Sequence, residues 1–461
     1  TLLLFVGAGC AGAALAQGVT LPEYELVELD NGAVFILSEK RDVPLIGVTA
    51  LVRGGAVTDP EGKYGLSSLF AEMLQKGAGE RDAEAFASAI DSTGATLSAN
   101  GGLEAISISG EFLARDADLL IELLSDMLRA PTLDDAEFAK LRDRNADLLR
   151  AAKDGNLGSL TSIYGNAWLF GDHPYGNPVG GDEHSLADLR HRDLLNYYRD
   201  FVGADRLVVS LVGDFDTTEM IGLLTAAFAD WRRAAEPLPE AEPPTVGAGR
   251  RVLLVDKPSA TQSYFWIGSV GVDRGFEQRA ELDIANTLFG GRFTSLLMDE
   301  MRTRAGLTYN ARSVLLRPSH PGSVAIVSFT KTDSTIVAID MALELLAQLR
   351  AEGFDEALIE SGKNYILGQF PPQLETSAQL ANQFAALRAA GLDESHINDY
   401  SAAIRGAAGE EIQSVISNVY PTPDDLVFVI IGDAESIRAG VAKYGDVTEL
   451  SITEPHFRPN P

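Results

Sequence analysis

Two distant segments end in the same way, and together they fix what this chain can fold into. Leu207-Val-Val-Ser-Leu-Val-Gly-Asp214 and Leu426-Val-Phe-Val-Ile-Ile-Gly-Asp433 share length, apolar character and a closing Gly-Asp. A short continuous apolar run bounded by glycine reads as a buried strand, and its return after about 220 residues reads as a repeat of a whole folding unit. Between the copies, Pro237, Pro239, Pro243 and Pro244 sit among Ala and Glu up to Gly249 without periodicity, as in a semi-rigid linker over 236–249. The expected organisation is one unit over 21–235 and a second over 250–458, each with enough chain to bury a core.

Each copy clusters its strands and its helices. In the first, Glu25 to Glu28 and Ala33 to Ser38 flank Asp30-Asn31-Gly32, whose Asn-Gly supplies the positive φ angles of a tight hairpin turn. Ile46 to Val52, Ala95 to Asn100 and Ala105 to Phe112 read as further strands, and Asp82 to Ser92, Asp116 to Leu128 and Asp134 to Ala152 as helices. In the second, Arg251 to Asp256, Ser263 to Val270, Tyr309 to Leu315 and Ser323 to Thr330 read as strands. Arg279 to Leu288, Phe293 to Thr303, Ser334 to Ala351 and Asp355 to Gln369 read as helices. Clustering of this kind predicts α+β units with mainly antiparallel sheets covered by helices, not an alternating doubly wound sheet.

The stretch Gly65 to Gly77, GLSSLFAEMLQKG, has two faces. Leu66, Leu69, Phe70, Met73 and Leu74 form the apolar stripe of a helix packed on a core. The other register holds Ser68, Ala71 and Glu72, a spacing that can put two metal ligands and a base on one helical face. The frame resembles the inverted zinc motif of the pitrilysin/insulinase (M16) peptidases, G-L-x-H-x-x-E-H-M-L-x-K-G. Ser68 stands at the first histidine, Ala71 at the glutamate base and Glu72 at the second histidine. The resemblance thus implies a degenerate motif and no metal or other cofactor held by this chain.

Two further stretches carry the same resemblance. Phe289 to Tyr309 is similar to the family's second-half signature, a Gly-rich turn and helix followed by R-x-x-x-G-L-x-Y, with Arg302, Gly306, Leu307 and Tyr309 in place. In the family this arginine and tyrosine bind substrate near its scissile carbonyl, which implies a substrate-binding role for Arg302 and Tyr309. An always-charged fork of donors and a phenol suit a carbonyl that develops negative charge. Read without the family, Arg302 is a helix C-terminal cation and Tyr309 a half-buried strand residue. Phe170 to Gly181 is similar to F-x-x-H-P-Y-x-x-P-V-x-G, a packing and turn element in which His173 is structural. Metal-binding members draw a further glutamate from the long helix; the nearest positions here are Asp147 and Leu148, neither a clear replacement. His184 and His191 lie seven apart with no third ligand identified.

The chain resembles small bacterial M16 proteins that work in pairs, one subunit carrying the zinc motif and the other only the arginine and tyrosine. It matches the second kind. This implies two M16-type domains forming half of a clamshell, a zinc-bearing partner subunit in a heterodimer or higher assembly, and a peptide substrate. A reading of another class stays open, a non-enzymatic scaffold or peptide-binding module.

Charge narrows the partners. With 37 Lys+Arg against 66 Asp+Glu the formal charge is −29, which opposes nucleic acid and anionic bilayer surfaces. Residues 1–16 are uncharged and end in Ala14-Leu15-Ala16, the small-x-small pattern before a secretory cleavage site, here ahead of Gln17. This is expected to be a signal peptide without its usual basic start, giving a periplasmic or secreted protein with no stable membrane span after cleavage. A retained anchor and a lipoprotein on Cys10 are the competing readings. The apolar run is shorter than the ~20 residues that span a bilayer, and Gly7 is a poor residue three places before a lipidated cysteine. Gly7-x-Gly9-x-x-Gly12 has no strand before it and is a chance match to a dinucleotide fingerprint.

Overall fold

A computed structural model describes residues 19–245, 247 and 249–459; the expected signal peptide lies outside the described residues. The chain forms two six-stranded sheets. The first comprises β1 (Glu25–Glu28), β2 (Val34–Glu39), β3 (Leu45–Arg53), β4 (Thr96–Gly101), β5 (Ala105–Leu113) and β6 (Leu207–Gly213), in spatial order β1-β2-β6-β3-β5-β4. The second comprises β7 (Arg251–Asp256), β8 (Gln262–Val270), β9 (Ala311–Leu316), β10 (Ser323–Lys331), β11 (Val427–Gly432) and β12 (Asp446–Ser451), in order β9-β10-β8-β11-β7-β12. β1 and β2 form the expected hairpin, but through five residues, 29–33, and of the Asn-Gly pair Gly32 alone takes a positive φ, 92°, so the turn is wider than the tight one expected.

The two orders superpose when one is reversed. β6 and β11, the strands of the repeat, are buried along their whole length; each runs parallel to one neighbour and antiparallel to the other. Five strands correspond. The sixth position is filled by β1, antiparallel, in one sheet and by β12, parallel, in the other. The architecture is therefore α+β with mainly antiparallel sheets, as the clustering of elements implies. Helices start where aspartates cap them: Asp82, Asp134, Asp216 and Asp355 each accept from the backbone N–H three residues on.

The first sheet packs on α1 (Leu66–Met73), the second on the helices after β10, and neither sheet has one bare face. Helix α2 (Asp135–Gly155) runs directly into α3 (Leu157–Phe170), which crosses to the second sheet: Leu160, Tyr164 and Ala167 join Leu253, Val255, Trp266, Val429 and Ile431 in one buried cluster. In return α4 (Ser377–Ala389) crosses to the first sheet, where Leu380, Ala381 and Phe384 pack on Val34, Ile36, Val208 and Val212. Each half thus covers the other's sheet. Both crossings need a glycine: a Cβ on Gly165 would lie 2.6 Å from the Trp266 ring, and one on Gly47 in β3 would lie 2.4 Å from the backbone nitrogen of Ala378. Among the described residues no helix is long and apolar enough to cross a membrane.

Candidate functional site

Helix α1 starts from Gly65 at φ 89°, a left-handed turn, and is capped by a side chain from outside it. Asp59 accepts from the Gly65 and Ser67 backbone N–H groups, each at 2.8 Å. Its carboxyl is buried, and burial raises its pKa to about 7 in spite of those two donors. Leu66, Leu69, Phe70, Met73 and Leu74 are buried in the first core, as the apolar stripe requires.

Of the three degenerate motif positions, the structure brings two to one cavity. Ser68 and Glu72 line a space of about 420 Å³ with Gln75, Lys76, Asn100 and Arg144. Ala71 does not reach it and is wholly buried in the core. Asp147 and Leu148, the positions considered on the long helix, both point elsewhere: Asp147 pairs with Arg150 at 2.8 Å and Leu148 is exposed. The side chain that faces α1 is Asn145, whose Nδ2 donates to Glu72 Oε1 at 2.8 Å. Sequence reasoning missed it, although Phe138, Leu141 and Asn145 share the inward face of α2 at i, i+3 and i+7. A polar residue on that stripe was the available signal.

These donors do not fit a zinc ion. A tetrahedral site needs three or four N, O or S ligands; here the set is a hydroxyl, a methyl, one carboxylate and a carboxamide whose nitrogen has no lone pair to give. Among the described residues no three His, Cys, Asp or Glu converge as a metal site. The histidines serve structure. His173 accepts from the Tyr175 N–H at Nδ1, and its Nε2 lies 2.9 Å from the Glu242 carbonyl. His191 meets the Leu133 carbonyl at 2.6 Å, whereas the His184 ring lies 4.9 Å from that of His456 at a tilt of 59°, so the two do not share a site.

The second candidate set lies in the other half. Residues Thr287–Gly291 and Met298–Arg304 are π-helical, a rare conformation that gathers at functional sites. The sequence placed Phe293 inside a helix and Tyr309 inside a strand. In fact Phe293 lies in the turn before the helix, and Tyr309 precedes β9, in the segment that follows Gly306 at φ 61°. Both rings are 70% exposed. The guanidinium carbon of Arg302 lies 4.4 Å from the Tyr309 ring centroid and 4.8 Å from that of Phe293. Phe293 had no signal in the sequence beyond its apolarity, because only the break at residues 292–295 turns it outward. This set and the Ser68–Glu72 cavity share no lining residue.

Fold and site define a class: a duplicated α+β scaffold whose motif helix offers one carboxylate, too few donors for a zinc site. Residues 35–167 match the family model described as insulinase (peptidase family M16), and residues 188–366 match the model described as peptidase M16 inactive domain. The chain belongs to the M16 family. It is 24% identical over 389 residues to the non-peptidase homolog YmxG of Helicobacter pylori, covering 83% of this chain and 86% of that one. It is 22% identical to the uncharacterized zinc protease YmxG of Bacillus subtilis, covering 75% and 83%. The fold matches the crystal structure of a peptidase M16 inactive domain from Pseudomonas fluorescens with a TM-score of 0.83 at 20% identity, covering 89% of this chain and 98% of that one.

Proposed function

We propose that this chain is the non-zinc, substrate-binding subunit of a heteromeric M16-type metallopeptidase, supplying Arg302 and Tyr309 to a peptide bound at a partner subunit's zinc site. The observation that carries this reading is the state of Arg302. Among the described residues its guanidinium has no ion-pair partner, and it lies against two exposed rings. Its neighbour Arg304, by contrast, pairs with both Asp299 and Glu300. A permanent cation left unpaired beside an exposed phenol is suited to a ligand outside the chain. A peptide carbonyl accepts from both groups, and the charge that develops on its oxygen strengthens both bonds, each such donor contributing roughly 3 kcal/mol. The methyl of Ala71 cannot take a proton, so water activation belongs to the partner. On this reading the pair works in the periplasm or outside the cell, which the uncharged leader over 1–16 supports.

The test is reconstitution with a zinc-bearing M16 protein from the same genome. The chain alone is expected to be inactive and the mixture to cleave unstructured peptides. A zinc subunit whose turnover is the same with and without this chain refutes the proposal.

A second reading rests on a different observation. Among the described residues strand β4 pairs on one side only, and it alternates exposed with buried residues beside the Ser68–Glu72 cavity, so its free edge can add an extended peptide without cleaving it. Saturable peptide binding by the isolated chain, with no turnover in any mixture, favours this scaffold role.

A further inference from the structure

A larger cavity, of about 780 Å³, opens where the two halves meet and shares no residue with either set above. The end of β3 forms one wall, the segment after β9 and one side of α4 form others, and linker residues 238–241 lie across it. Its size falls within the range that encloses a small ligand. Its charge is the reverse of the chain's. Arg53, Arg274, Arg279 and Arg317 line it against Glu104 and Glu240, whereas the whole chain has 37 basic residues to 66 acidic ones.

Part of that charge is met locally: Arg317 pairs with Asp283 at 2.8 Å, and Arg279 donates to the His396 carbonyl at 2.7 Å and lies over the Tyr400 ring, so Arg53 and Arg274 are the less committed cations. The Glu104 carboxylate accepts from the Tyr175 hydroxyl at 2.7 Å, the Ser319 N–H at 2.9 Å and the Ser319 hydroxyl at 3.1 Å, leaving Arg274 as a looser partner at 3.4 Å. Arg53 donates to the Asp205 carbonyl at 2.8 Å and makes no ion pair among the described residues. Burial, and then Arg279, Arg317 and Arg274, lower the pKa of His396 on the same wall to about 4, as a positive field in a partly desolvated space requires. The apolar wall is aliphatic: Leu51, Leu238, Leu387 and Ile397 contribute to it, and its single Tyr, Tyr175, has its hydroxyl committed to Glu104.

We propose that this cavity binds an amphiphilic anion, an alkyl chain among the leucines with a carboxylate or phosphate head among the arginines. Calorimetric titration of the full chain with octanoate, octyl phosphate, octanol and octylammonium tests it. One molecule of at least one anion is expected per chain, held at least tenfold more tightly than octanol or octylammonium, and the preferred anion identifies the head group. Arg53→Gln and Arg274→Gln should each weaken binding at least fivefold, with Arg115→Gln on the outer surface as an unaffected control. Ala386→Trp, which fills the cavity from the exposed side of α4 without cutting an ion pair, should abolish binding while circular dichroism stays unchanged. Equal binding of octanol and octanoate, no saturable binding of either anion, or full binding by a folded Ala386→Trp protein would overturn the assignment.

Discussion

Asn145 donates from Nδ2 to Oε1 of Glu72 at 2.8 Å, and this hydrogen bond joins α2 to α1 beside the cavity that Ser68 also lines. The contact defines which three positions decide metal binding: Ser68, Glu72 and Asn145. Chelator-free protein is expected to hold no stoichiometric zinc by elemental analysis. A Ser68→His, Glu72→His, Asn145→Glu variant places two imidazoles and a carboxylate at one site and should gain one zinc per chain, since three such ligands and a water complete a tetrahedral shell. Zinc bound by the unaltered chain would contradict the geometry of the site.

Restoring a carboxylate at position 71 is a separate matter. Ala71 is fully buried, so Ala71→Glu is expected to destabilise the fold by roughly 2 kcal/mol or more through overpacking and an unpaired polar group. Urea unfolding measures the loss. A variant as stable as the parent would mean that α1 can turn this face towards the cavity.

Arg302→Ala removes a charged donor and Tyr309→Phe removes one hydroxyl. Each should lower kcat of the reconstituted complex by about 10²-fold or more, by the worth of one lost oxyanion donor. Assembly and thermal stability should change little, because neither side chain is in the core, unlike Leu297 on the same helix. Unchanged turnover in both intact complexes would remove the substrate role and leave the scaffold reading.

Asp59 makes stability depend on pH in a definite direction. An ordinary aspartate titrates near 3.8, and burial raises this one to about 7, so the folded state binds a proton that the unfolded chain releases. The resulting stabilisation is complete below about pH 4 and is lost as pH rises through 7. Asp59→Asn should flatten that part of the profile while giving up one of two backbone acceptor sites, a cost of about 1 kcal/mol. Comparing urea midpoints of the two proteins from pH 4 to 8 checks it; parallel profiles would show that Asp59 does not titrate in that window.

The crossing helices can be probed by single methyl groups. Gly165→Ala and Gly47→Ala each put a Cβ within 2.6 Å of a ring or backbone atom of the other half, and should cost roughly 1–3 kcal/mol, as overpacking of a filled core does. Gly222→Ala, where an added Cβ meets nothing within 4 Å, is the control. Equal stability of all three would mean that the halves separate readily.

Much of this protein is local in origin and was legible in the sequence. Leu207 to Asp214 and Leu426 to Asp433 read as equivalent strands because a buried strand is written in consecutive apolar residues, and they occupy equivalent central places in their sheets. The apolar stripe of α1 and the altered residues Ser68, Ala71 and Glu72 were equally plain, since helical period and residue type are read within a dozen positions. What the sequence did not carry was decided by contacts between distant residues. Segments 157–170 and 377–389 spread apolar and small residues around the helix, and these are the helices that exchange between halves. The facing of Asn145 towards Glu72, rather than Asp147, depends on how α2 is rotated against α1, which packing sets. The meeting of Arg302 with Phe293 and Tyr309 depends on where a π-helical turn begins and ends. Side-chain chemistry is fixed residue by residue, but which groups converge is fixed only when burial of two sheets forces distant segments into one shared core.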